Sequence, residues 1–286
     1  MWTMVVCAVL VLAGLVAAVR WGGLTVQPPA QPPPEADGPA GQPPVGLVVR
    51  RYLWYLTVAV ASGVGAGILA AGAGGRLVMR LLAVTAGADA QGRVTEAGEV
   101  VGRISVDGTL GFVVFTGLFF GLATGTLYLL LRRWLPAGRA GGLAYGALLL
   151  VVAGTRLDPL RPGNPDFDLV GPGWVSVLAF TVLAVFDGVL VAALAGRISR
   201  ALPLLGAGPR AIAAHAPLLL LFPLGSAVLL VAVVGVIVAL ASQVPGVVAA
   251  WRDRRSVTVG RVVLAVVAVV ALPGFASAVV GILGRP

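Results

Sequence analysis

Long apolar runs, separated by short polar breaks that carry Arg, repeat along most of this 286-residue chain. Seven runs stand out, at 2–19, 53–75, 110–131, 141–154, 174–196, 217–242 and 262–283. A hydrocarbon layer about 30 Å thick takes about 20 mostly apolar residues per helix. The runs are continuously apolar, whereas barrel strands alternate over about ten residues, so helices are the expected spanning form. The pattern predicts an all-α membrane protein: a polytopic helical bundle of about seven transmembrane helices. The fourth run is short and is expected to extend back to Arg139 or forward towards Thr155.

The polar breaks suggest three parts. Residues 1–20 read as an N-terminal transmembrane anchor. Its charge, Arg20, follows the apolar stretch, whereas a signal peptide carries charge before it. Residues 21–48 read as a Pro-rich flexible linker, which makes the first helix a loosely tethered element. Residues 49–286 read as a six-helix transmembrane body with external loops at 86–108 and 155–173. In the first loop, 95–101 is expected as a short helix and 103–107 alternates as a strand would. With the N-terminus outside, a seven-span layout divides the 20 Arg ten and ten, so the positive-inside rule does not decide the orientation. The 251–261 break, with four Arg, reads as cytoplasmic in conflict with that layout. The conflict disappears if 217–250 dips into the membrane and returns, helped by Pro217, Pro223 and Pro245.

Composition agrees with the pattern. Hydrophobic residues make up 59% of the chain and charged residues 11%, with mean hydropathy +1.01, too few charges to cover a soluble domain. Every basic residue is Arg, which together with abundant Ala, Val and Gly points to a GC-rich genome. The net charge of +9 does not indicate nucleic acid, because the Arg residues sit at span ends and no basic stretch is interleaved with aromatics. The expected localisation is the plasma membrane of a bacterial cell, and the expected surroundings are the lipid bilayer and a membrane-protein partner or a second copy of the chain.

Small residues recur at intervals of four. Gly63, Gly67, Ala71 and Gly75 do so in the second run, Gly117, Gly121 and Gly125 in the third, and Gly142 and Gly146 in the fourth. Close packing through small residues drives helix association in lipid. The second and third helices are therefore expected to lie against each other or against a partner.

Chemistry-bearing residues are few. Asp187 lies in the middle of the fifth run, where a carboxylate is costly unless neutral, paired or solvated; it is the foremost candidate functional residue. Arg76 and Arg80 lie one turn apart beyond the second run and are candidate partners. A second candidate, an external-loop polar site, comprises Asp158, Asn164, Asp166 and Asp168. It lacks the spacing and closing Glu of a calcium loop, so a structural cap of Arg–carboxylate pairs, drawn from Arg156 and Arg161, is the expected reading. The single Cys7 excludes an internal disulfide, and one His, His215, with one Cys leaves little for zinc or nucleophilic triads. His215 is expected at the surface. No phosphate-binding glycine loop, HExxH or GxSxG occurs. No cofactor, metal or catalytic residue is expected.

The loop 155–174, TRLDPLRPGNPDFDLVGPGW, resembles uncharacterised multi-pass integral membrane proteins of GC-rich bacteria. The resemblance covers about 20 residues and the layout of the spans, and it implies no activity. The leading expectation for function is a non-enzymatic scaffold or accessory subunit. The alternative is a small secondary transporter or ion-coupled permease using Asp187. A third is an enzyme acting on lipid headgroups through the loop carboxylates.

Overall fold

The computed structural model describes residues 2–29, 44–96, 98–156 and 160–285. Half of the Pro-rich linker, residues 30–43, and Asp158 lie outside the described residues. Among the described residues the regular secondary structure is helical apart from one isolated antiparallel bridge, Val94 to Val100. Helix α1 is Trp2–Trp21, α2 is Val45–Thr85, α3 is Val106–Leu131, α4 is Arg139–Ala153 and α5 is Gly173–Ala201. A short helix α6 (Pro209–Ala214) and a 3₁₀ turn (Ala216–Leu221) come next, then α7 (Gly225–Ser242), α8 (Pro245–Arg252) and α9 (Arg254–Leu283). Five helices, α1, α2, α3, α5 and α9, are long and apolar enough to cross a membrane, which makes this a multi-pass membrane protein.

The stretch at 217–242 is not one straight helix. Pro217 and Pro223 interrupt the backbone ladder, and the chain bends by 100° between Val228–Ser242 and Pro245–Trp251. The short α4 is matched to α5 along its length.

Two helix pairs form the centre. In α2 and α3, Gly63 and Gly67 meet Gly117, Gly121 and Gly125 so closely that a Cβ on any of them would overlap the partner backbone. In α4 and α5, Gly142 lies 2.8 Å, measured from an ideal Cβ position, from the Val189 Cα, and Gly146 lies 2.7 Å from the Val185 Cα. Without these glycines the backbones could not approach so closely, and lipid supplies no hydrophobic drive to replace the contact. Helix α2 is the central element: 67% of its apolar window is buried inside the protein, against 11% for α9. Trp54, Val58, Tyr128, Tyr145 and Leu190 fill the space between the pairs.

The regular interval of four along α2 fails at one place. A π-helical turn, Gly67–Gly72, inserts an extra residue, so Gly72 rather than Ala71 meets the α3 backbone: a Cβ placed on Gly72 would lie 2.6 Å from the Val113 carbonyl oxygen. A second π turn, Phe112–Thr116, faces it in α3. Gly75 consequently leaves the packing strip and faces the Phe112 ring. Arg76, four residues after Gly72, takes its place and donates from Nε to Thr109 Oγ1 at 3.3 Å.

The first helix is packed into the bundle rather than loosely tethered. Gly14 sits against Phe186, Leu190 and Leu69, Ala17 and Ala18 join the central core, and Cys7 is buried with Ala73 and Val113. Glycine and alanine on one side of α1 allow this approach, a feature that hydropathy alone does not weigh.

Contacts assign each helix terminus to one of two ends. At one end, Trp54 donates to the Leu202 carbonyl (2.9 Å), Arg139 to the Val19 carbonyl (3.0 Å) and Arg133 to Ser256 Oγ (3.0 Å), while Arg132 lies over Tyr55 and Arg197 over Trp21. The end of α1, the start of α2, the ends of α3 and α5 and the starts of α4 and α9 therefore meet there. Residues 202–253 leave this end and come back to it. Leu221 reaches Val60 and Val64 in the middle of α2, and α7 then returns past Tyr52, whose hydroxyl donates to the Val231 carbonyl at 2.8 Å. Thirteen of the 20 Arg lie in segments at this Arg-rich end and seven at the other.

The opposite end carries the two polar loops. The described residues of the 95–101 stretch are not helical: the Val94–Val100 bridge closes them, and Gly92, Gly98 and Gly102 adopt positive φ near +80°. Residues 103–105 form no strand, and α3 begins at Val106 with Ser105 as its cap. His215 is buried rather than at the surface, its Nδ1 2.8 Å from the Ala211 carbonyl.

Candidate functional site

A cavity of about 540 Å³ lies between the helices of the bundle and the two polar loops. The second half of α2 supplies Ala71, Gly75, Arg76, Met79 and Arg80; α3 supplies Phe112, Thr116 and Phe120; α5 supplies Phe180, Leu183, Ala184 and Asp187. The two loops roof it with Glu96, Glu99, Arg103, Asn164 and Asp166. The volume falls within the range of small-molecule sites, and the mixture of an apolar wall with a few polar groups is typical of them. The two π turns border the cavity. They rotate the rest of α2 about its axis, which sets Arg76 against Thr109 and Gly75 against the Phe112 ring.

Asp187 is at the inner end. It is the fifteenth of the 29 residues of α5, so it lies near the helix midpoint, and it is 1% exposed. Neither carboxylate oxygen makes a hydrogen bond of normal geometry. The Thr124 hydroxyl is beside it, but donates to the Gly121 carbonyl at 3.3 Å; the Tyr145 hydroxyl donates to the Thr124 carbonyl at 2.5 Å. The next residue, Gly188, meets Gly146 backbone to backbone and closes the structure below the carboxylate.

Arg76 is also buried, at 8% exposure. Besides Thr109 it has only a weak contact, Nη1 to Met79 Sδ at 3.9 Å. No carboxylate among the described residues lies within ion-pairing distance of it, and Glu99 faces the same Gly108 without closing that gap. Arg80 lies nearer the mouth and donates to the Gly102 carbonyl at 3.5 Å. Arg76 and Arg80 thus share the cavity with Asp187 without pairing to it.

The external-loop residues divide between roof and scaffold. Asp166 accepts from the Glu96 backbone N–H at 2.8 Å, and Glu96 pairs with Arg161, so the two loops are tied to each other. Asn164 caps the 3₁₀ turn Pro165–Asp168 by accepting from the Asp166 N–H. Asp168 pairs with Arg285 at 3.3 Å, and that Arg also holds the Asn164 and Pro162 carbonyls. Arg156 bonds to the Val152 carbonyl, with no carboxylate partner among the described residues. No group of three or more His, Cys, Asp or Glu suited to a metal ion occurs among the described residues. The cavity residues Glu99, Arg103, Phe112, Thr116 and Phe180 were not singled out from the sequence, because nothing short of helix packing brings them together.

The fold and this site define the class: a multi-pass α-helical membrane protein with an amphipathic cavity between its helices. Neither a family model, nor a curated protein, nor a solved structure matches the chain.

Proposed function

We propose that this protein is a small secondary transporter or ion-coupled permease that takes its solute from the loop end, with Asp187 as the group that carries the coupling proton or cation. The observation that carries the reading is the unpartnered, buried Asp187 carboxylate at the inner end of a cavity walled by α2, α3 and α5 and roofed by the two loops. A carboxylate in that position needs a proton, a cation or a ligand to offset its desolvation. The close Gly-mediated backbone contacts beneath it separate the cavity from the Arg-rich end.

The same reading assigns topology. Helices α1 to α5 and α9 cross, α4 despite its length, and 202–253 re-enters from the Arg-rich end, giving six crossings. Thirteen Arg against seven then place the Arg-rich end in the cytoplasm and the cavity mouth and N-terminus outside. The plasma membrane of a bacterium with a GC-rich genome is the location this composition supports. A scaffold role draws on the ordered external loops and on Gly-faced helices open to a partner; in α2 to α5 the Gly faces are occupied within the chain, which leaves the loops.

The test is reconstitution into proteoliposomes adsorbed on a solid-supported membrane, challenged with a panel of amino acids, peptides, amines and organic acids. Wild-type protein gives a solute-induced current with at least one member, and Asp187→Asn, inserted and monodisperse, gives none. An undiminished current in Asp187→Asn overturns the reading.

A further inference from the structure

We infer that the cavity takes an apolar zwitterion whose opposite charges stand at its two ends, of the size and kind of a hydrophobic dipeptide. This inference rests on the permease reading and specifies its solute.

The cavity contains one buried carboxylate and one buried guanidinium, neither with an ion-pair partner among the described residues. Each is costly alone in a low-dielectric interior. They do not pair with each other. Leu183 of α5 packs on Gly74 of α2, and the two helices run in opposite directions. Asp187 is four residues beyond Leu183 towards the Arg-rich end, and Arg76 is two residues beyond Gly74 towards the loops. At 1.5 Å per residue the two positions are roughly 9 Å apart along the helix axes. The Arg76 side chain is held sideways to Thr109 of α3.

Between the two charges the wall is apolar: Phe112, Phe120, Phe180 and Leu183. A ligand that satisfies both charges and this wall has an ammonium at Asp187, an apolar body, and a carboxylate at Arg76. A phospholipid headgroup carries both charges at one end and its apolar part beyond them, which does not fit this order. A simple organic cation or anion satisfies one buried charge and leaves the other.

Binding to the full-length protein, purified in a gentle detergent, is measured by titration calorimetry and by the shift in thermal unfolding. The probes are L-leucyl-L-leucine and 8-aminooctanoate. The controls are N-acetyl-leucyl-leucine, which lacks the ammonium, and leucyl-leucinamide, which lacks the carboxylate. Both zwitterions bind, and each capped form binds roughly thirtyfold or more weakly, as expected when one partner of a buried charge contact is lost. Asp187→Asn loses discrimination against the acetylated form and Arg76→Gln against the amide, while Asp187→Glu and Arg76→Lys restore part of it and report on folding. Equal binding of either capped form overturns the inference, as does failure of both zwitterions to bind. A lipid retained in their place through purification, identified by mass spectrometry, also overturns it. In each of these cases an Asp187-dependent current with another solute leaves the permease reading standing; the absence of any such current removes that reading separately.

Discussion

Replacing Gly67 by Ala tests how the centre of the bundle is held together. A Cβ built on Gly67 lies 2.7 Å from the Gly121 Cα and overlaps the Gly117 carbonyl. Carbon atoms at ease stand about 3.5–4.0 Å apart, so α2 and α3 must separate by about 1 Å. Overpacking of this kind costs about 1–3 kcal/mol. In water, Ala would recover about 1 kcal/mol through its higher helix propensity. In a bilayer that recovery is largely absent, because the separated helices stay helical to satisfy their backbone groups. The net loss is therefore about 1–3 kcal/mol, which at about 2–4 °C per kcal/mol lowers the unfolding midpoint by roughly 2–12 °C. The assay is thermal unfolding in a gentle detergent, followed by near-ultraviolet circular dichroism. Gly111→Ala is the control, since a Cβ there meets nothing within 4 Å; its shift should correspond to no more than about 0.5 kcal/mol. The double variant Gly63→Ala/Gly67→Ala should cost less than the sum of its parts, because one separation of the helices accommodates both methyls. An unchanged midpoint for Gly67→Ala, or equal losses at Gly67 and Gly111, would refute this account of the packing.

Two further outcomes are expected from the same contacts. In a Cys7→Ser background, Asp166→Cys should react with an impermeant maleimide added to intact cells, whereas Ser256→Cys and Gly208→Cys should react only after permeabilisation; labelling of Gly208→Cys and Ser256→Cys from opposite sides would overturn the re-entrant 202–253 segment. The Glu96–Arg161 pair is partly exposed, at 46% for the Glu96 side chain and 35% for Arg161, so Glu96→Gln should change stability by no more than about 1 kcal/mol. Limited proteolysis of the loops in the same variant should accelerate if the pair holds the roof in place, and an unchanged rate would show that the Glu96 N–H to Asp166 bond suffices.

Much of this architecture is written in local sequence. Helical form and membrane residence come from continuous apolar runs, because a backbone in lipid must satisfy its hydrogen bonds within each segment. The glycine spacing in the second and third runs is legible for the same local reason: residues four apart share a helix face. Asp187 stands out because a lone carboxylate in an apolar run is costly wherever the helix is placed. Packing decided the rest. Hydropathy does not distinguish a crossing helix from a re-entrant one, so the path of 202–253 is decided by separate tertiary contacts: Leu202 with Trp54, Leu221 with Val60 and Val64, and Val231 with Tyr52. A π turn leaves no local mark, so the displacement of Gly75 from the packing strip and of Arg76 into it emerged only with α3 in place. The apolar α1 looked like a detached anchor, yet its small residues dock on α2 and α5. The cavity belongs wholly to tertiary structure: Arg76, Phe112, Phe180 and Asp187 are far apart along the chain, and only the close approach of glycine-faced helices, which fixes the spacing of their neighbours, brings them around one space.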